Sequence, residues 1–131
     1  MTLRRVFAYL WAAPCTLVAG IAAPVALATG GRIGIHSGVI EIWGGVFERL
    51  LPRVGPGLGI VAITVGHCVL ATNECGLHQT RAHERVHVAQ FERWGPLFPF
   101  LYTMSSVAAW ARGANYYLDN HFEQEARRLT S

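Results

Sequence analysis

The run Arg81-Ala82-His83-Glu84-Arg85-Val86-His87-Val88-Ala89-Gln90-Phe91-Glu92-Arg93-Trp94 decides how this chain is read. It carries no glycine or proline before Gly95-Pro96, so it predicts one helix with Thr80 as its cap. Within it His83 and His87 stand four residues apart, one turn along one face, which lets two imidazoles share a tetrahedral metal. Glu84 points to one side of that pair. From there a carboxylate can approach a metal-bound water without taking a ligand position, as a general base must. The competing reading is a solvated helix face with two unrelated histidines.

Two histidines leave a catalytic zinc short of one protein ligand. The best downstream source is Asp119-Asn120-His121-Phe122-Glu123-Gln124-Glu125-Ala126, within a polar segment from Asp119 to Arg128 that predicts a final helix. Here the chain resembles the gluzincin branch of the HExxH peptidases, in which a second helix supplies a glutamate from an E-x-x-A type motif. The resemblance places the third ligand at Glu123 and the small residue at Ala126. Gln90 extends the first motif to HExxHxxQ, similar to little-characterised zincins with an apolar N-terminal segment. Those relatives often have proline after the asparagine, where this chain has His121. The resemblance covers His83 to Ala126, about a third of the chain.

Two alternatives stay open around Glu123. Glu125 is a rival ligand, but two helical positions are about 200° of rotation, so both carboxylates cannot face one metal. With Asn120 as N-cap, Glu123 would occupy the N3 position, where a glutamate commonly closes a capping box and needs no metal. His121 and Tyr116 are candidates to hydrogen-bond an oxyanion, or else packing residues. His67 reads as a turn residue, and His36 and His78 fall in expected loops.

Only 15% of the 131 residues are charged while 52% are hydrophobic, which points to contact with lipid. All eleven basic side chains are arginine, giving a net charge of +3, and they are scattered rather than striped. That argues against a nucleic-acid partner. After Arg4-Arg5, the stretch Val6 to Ala28 holds 23 uncharged residues, enough to cross a bilayer as a helix. Pro14 and Pro24 would kink or end it. The expected reading is a single-pass anchor with Arg4 and Arg5 cytoplasmic and the remainder extracytoplasmic. Alternatives are a signal peptide cleaved near Ala26-Leu27-Ala28, or a buried or membrane-skimming segment.

Between these landmarks, Thr29 to Gly38 reads as a glycine-rich linker and Val39-Ile40-Glu41-Ile42-Trp43 as a strand ended by Gly44-Gly45. Val46 to Leu51 predicts a turn or two of helix, and Pro52 to Gly59 a loop. Ile60 to Val65 is strand-like, either a core strand or an edge to which an extended peptide adds. Cys68 to Ala71 is its hairpin partner after Gly66-His67. Cys68 and Cys75 either bridge or remain two buried thiols, and three cysteines make no disulfide framework. Leu97 to Ala111 predicts a buried or membrane-dipping helix that Gly113 ends.

The expected fold is α+β, with a membrane anchor over residues 1–30 and a mini-zincin-like domain over 31–131. In it an HExxH helix and a glutamate-bearing helix stand beside a small β-sheet. The expected function is that of a membrane-associated zinc metalloprotease acting on a peptide or protein substrate. His83, His87 and Glu123 would hold zinc, and Glu84 would activate the bound water. The alternative is a non-catalytic, membrane-anchored metal-binding or scaffold protein of similar fold.

Overall fold

The computed structural model describes residues 2–54 and 59–130. The architecture is α+β, with a four-stranded mixed sheet between helical layers. In chain order the elements are α1 (Leu3–Gly20), α2 (Ala22–Ala28), β1 (Arg32–His36), β2 (Val39–Trp43), α3 (Phe47–Leu50), a 3-10 turn (Leu51–Arg53), β3 (Ala62–Val65), β4 (Cys68–Ala71), α4 (Glu74–Trp94), a second 3-10 turn (Gly95–Leu97), α5 (Phe98–Ala111) and α6 (His121–Thr130).

The sheet order is β1-β2-β4-β3, with β2 and β4 parallel and both outer pairs antiparallel. Strand alternation divides its side chains between two faces. Ile40, Ile42, Ile63, Val65, Cys68 and Leu70 pack with Ala19 and Ala26 of the N-terminal helices and with Phe47 and Leu51. Val39, Trp43, Ala62, Val69 and Ala71 pack on the other face against Leu77 and Val88 of α4. The helix bearing the two histidines therefore lies on one side of the sheet and the apolar N-terminal helices on the other.

The β3–β4 hairpin forms as expected, with Gly66 in its turn at φ 65°. The linker expected over Thr29 to Gly38 is instead largely strand β1, paired with β2 from Arg32↔Trp43 to His36↔Val39. Its turn, Ser37-Gly38, has positive φ at both residues, the geometry that matches the twist of a two-residue hairpin. The expected helical turns after Gly45 appear as α3 and the following 3-10 turn, which takes in Pro52 and Arg53. Of the loop expected over Pro52 to Gly59, residues 55–58 lie outside the described residues.

Thr80 is not the cap of the histidine helix. α4 begins at Glu74, where the Asn73 side chain accepts a hydrogen bond from Gly76 N at 2.8 Å. Thr80 lies inside it and donates to the Gly76 carbonyl. The helix ends at Gly95, as the Gly-Pro pair requires.

Leu3–Ala28 contains a helical stretch of 26 residues long and apolar enough to span a membrane. The regular helix is interrupted at Ile21, between α1 and α2, where the backbone stays right-handed helical (φ −63°, ψ −26°). Pro24 thereby falls in the first turn of α2, where the missing N–H has no intrahelical partner to lose. Pro14 stays inside α1.

α1 does not stand apart from the sheet layers. Ala12, Ala19 and Ala26, spaced two turns apart, are all buried, and the Thr16 hydroxyl accepts a hydrogen bond from His67 N at 2.9 Å. The Tyr9 hydroxyl donates to the Gly38 carbonyl at 2.7 Å, and its ring stacks on His67. Two glycines make the approach possible. A side chain at Gly66 would meet Thr16, and one at Gly95, φ 56°, would meet the Trp11 ring at 2.4 Å.

Candidate metal centre

His83 and His87 occupy one face of α4 because the helix is regular from Glu74 to Trp94. The roll of α4 on the sheet is set from its other side. Glu41 of β2 is buried and takes hydrogen bonds from Arg81 Nε at 3.0 Å and Nη2 at 2.9 Å, with Arg85 Nη2 at 3.4 Å. That paired arrangement holds the two arginines against the sheet and leaves the histidines facing α6.

α6 supplies the acidic partner. Asn120, fully buried, receives the Phe122 N–H on Oδ1 and donates through Nδ2 to the Tyr102 carbonyl and the Ser106 hydroxyl. These bonds fix the start of α6 against α5. Ala126, 0% exposed, lets the helix close on its neighbours. Glu123 then projects between the histidines: Oε1 lies 3.0 Å from His83 Nε2, and Oε2 lies 3.1 Å from His87 Nε2. The ligand atoms of His83, His87 and Glu123 all fall within 4.8 Å of one another.

Both alternatives for Glu123 have a structural outcome. Its carboxylate is not spent on a capping box, since Asn120 N donates to the Tyr117 carbonyl and both carboxylate oxygens have partners elsewhere. Glu125 turns away to accept from Gln90 Nε2 at 2.9 Å.

The donor set suits a divalent cation. The two Nε2 atoms approach to 3.2 Å, a separation that asks for a proton or a metal between their lone pairs. Gln90 decides the tautomer of His87. Its Nε2 donates to the Phe122 carbonyl and to Glu125, so its Oε1 faces His87 Nδ1, 2.8 Å away, and must accept from it. A neutral His87 therefore carries its proton on Nδ1 and offers Nε2 as ligand.

Electrostatics follow the same geometry. Burial raises the Glu123 carboxyl, but hydrogen bonds it accepts from His83, His87 and Tyr102 outweigh it, holding the group well below the usual carboxylate range. Burial lowers His87, yet Glu123 more than reverses this and leaves the imidazole raised. Glu84 is raised by burial, with the histidines and the Thr64 hydroxyl, which donates to its Oε2 at 2.6 Å, opposing the shift.

A cleft of about 640 Å³ lies over these groups. Glu84, His87 and Glu123 line it together with Ile60, Ile63, Val65, Phe91 and Phe98, so its polar end sits against largely apolar walls. Tyr102 and Tyr117 close the polar end. The Tyr102 hydroxyl donates to Glu123 Oε2 at 2.7 Å. Burial, with Glu123 nearby, pushes Tyr117 up to about 12, so its hydroxyl keeps its proton.

Neither tyrosine is marked in the sequence, since they lie 21 and 6 residues before Glu123 in segments without a motif. Tyr116 also lines the cleft. His121 is exposed and packs edge-on against Phe122. His67 sits in the β3–β4 turn beneath α1, and His36 and His78 lie away from the cluster on exposed positions. The cysteines are free, Cys68 buried and Cys75 exposed. Compared with protein-family models, curated proteins and solved structures, the chain has no match.

Proposed function

We propose that this protein is a small zinc-dependent peptidase held at a membrane by its N-terminal helices, of the zincin type that the HExxH motif suggests. The observation that carries the reading is the convergence of His83, His87 and Glu123 beside Glu84 at the polar end of an apolar cleft. His83, His87 and Glu123 would hold the ion. When bound, zinc supplies Lewis acidity, polarising a scissile carbonyl and acidifying water at neutral pH.

The chain's own residues do the rest. Glu84 accepts the proton of the attacking water, and its buried, raised carboxylate is the stronger base for it. Thr64 holds Oε2, which leaves Oε1 for that proton and for its delivery to the leaving amine. Gln90 and Tyr102 orient the ligand side chains. Tyr117 lines the cleft beside Glu123 and would donate to the carbonyl oxygen as it gains charge. β3 is an outer strand of the sheet, and the adjoining cleft favours an extended peptide with apolar side chains.

The test is Glu84→Gln in the full chain. It should keep stoichiometric zinc and lose at least about 100-fold in peptide hydrolysis, the scale of a general base. Unchanged hydrolysis would sink the mechanism. Stoichiometric zinc in the wild type with no cleavage of any peptide library would favour a metal-binding scaffold role.

A further inference from the structure

We propose that the N-terminal helices lie in the plane of a membrane interface together with α5, rather than crossing the bilayer. This refines the membrane association proposed above and does not depend on hydrolysis.

Contacts run along most of α1 and α2, from Tyr9 on Gly38, through Trp11 on Gly95 and Thr16 on His67, to Ala26, buried in one cluster with Ile42 and Leu70 of the sheet. A helix crossing the hydrocarbon in this packing would carry the sheet in with it. β1 and β3 are both outer strands, and lipid-exposed sheet edges do not occur in a bilayer core, because their backbone groups have no partner there. The Glu41–Arg81–Arg85 ion pairs would be carried in as well.

The face of α1–α2 turned away from the sheet is apolar and uncovered. Phe7, Leu10, Leu17 and Ile21 are each about two-thirds exposed or more, at spacings of three, seven and four that keep them on one face. α5 repeats the pattern with Phe100, Met104, Val107 and Trp110, all exposed. The two helices are linked on their buried sides where α5 begins: Ala12 of α1 packs with Phe91 and Phe98 in one cluster.

Charge selects a bilayer as the occupant. The nearest charged residues flanking the apolar runs are all arginines: Arg4, Arg5 and Arg32 about α1–α2, and Arg93 and Arg112 about α5. Such a border complements anionic headgroups, with Trp110 beside Arg112 placed as an interfacial aromatic.

The test uses the full chain with sealed vesicles of phosphatidylcholine and phosphatidylglycerol. Cys15, Cys68 and Cys75 are replaced by alanine, and either Thr2→Cys or Arg32→Cys is introduced. A membrane-impermeant maleimide added outside should label both variants to the same extent on bound protein. Labelling of only one end would overturn the in-plane seating while leaving membrane association standing. In a second measurement, Leu10→Glu with Met104→Glu should weaken vesicle binding at least tenfold with an unchanged circular dichroism spectrum. Wild-type protein that forms a dimer in solution and does not bind these vesicles would overturn the membrane association itself and assign the apolar face to a second copy.

Discussion

At the scale of single residues, the site depends on groups that are not ligands. Gln90 fixes the His87 tautomer through three hydrogen bonds, so Gln90→Ala should leave all three ligands in place and still weaken metal affinity. The expected loss is about 10- to 100-fold, measured by competition with a chromophoric chelator. An unchanged affinity would show that the helix alone orients His87. The HExxH spacing made His83, Glu84 and His87 legible in the sequence, because four residues on a helix make one turn. Glu123 stood out only by resemblance beside Glu125. Their 200° separation said that one of them faces elsewhere, and the fold shows Glu123 between the histidines with Glu125 on Gln90. Tyr102 and Tyr117 were not legible, since their approach to Glu123 depends on how α5 and the segment before α6 fold back.

At the scale of elements, glycine explains both what was read correctly and what was not. Gly95 ended α4 as expected, but its further role appears only in three dimensions, where the Trp11 ring fills the space a side chain would take. Gly95→Ala should destabilise the protein by about 2 kcal/mol or more, combining that clash with a backbone conformation that disfavours other residues. Thermal unfolding should show a lowered Tm, and an unchanged one would mean that α1 is not seated on Gly95. Conversely, Gly34 and the glycines around Arg32 disguised β1 as a linker, and Gly76 disguised the first turn of α4. Their local propensity is overridden by pairing with β2 and by the Asn73 cap respectively. β2 and β3 were legible as β-branched runs bounded by glycine, and β4 as the partner across the Gly66-His67 turn.

At the scale of the whole molecule, the α+β class and a membrane-competent N-terminal helix could be read from composition and periodicity. The layering could not. Hydropathy marks Leu3–Ala28 as apolar, but not that its Ala19 and Ala26 cover one face of the sheet while α4 covers the other. That layering holds α4 at a fixed roll, and α5 and α6 then bring Glu123 to the histidines. This convergence is what makes the proposed metal site. Metal analysis of the purified wild type, Glu123→Ala and Glu125→Ala tests it most directly. About one zinc per chain is expected in the wild type and in Glu125→Ala, with loss in Glu123→Ala. Zinc retained in Glu123→Ala and lost in Glu125→Ala, or absent from the wild type after incubation with the ion, would contradict it.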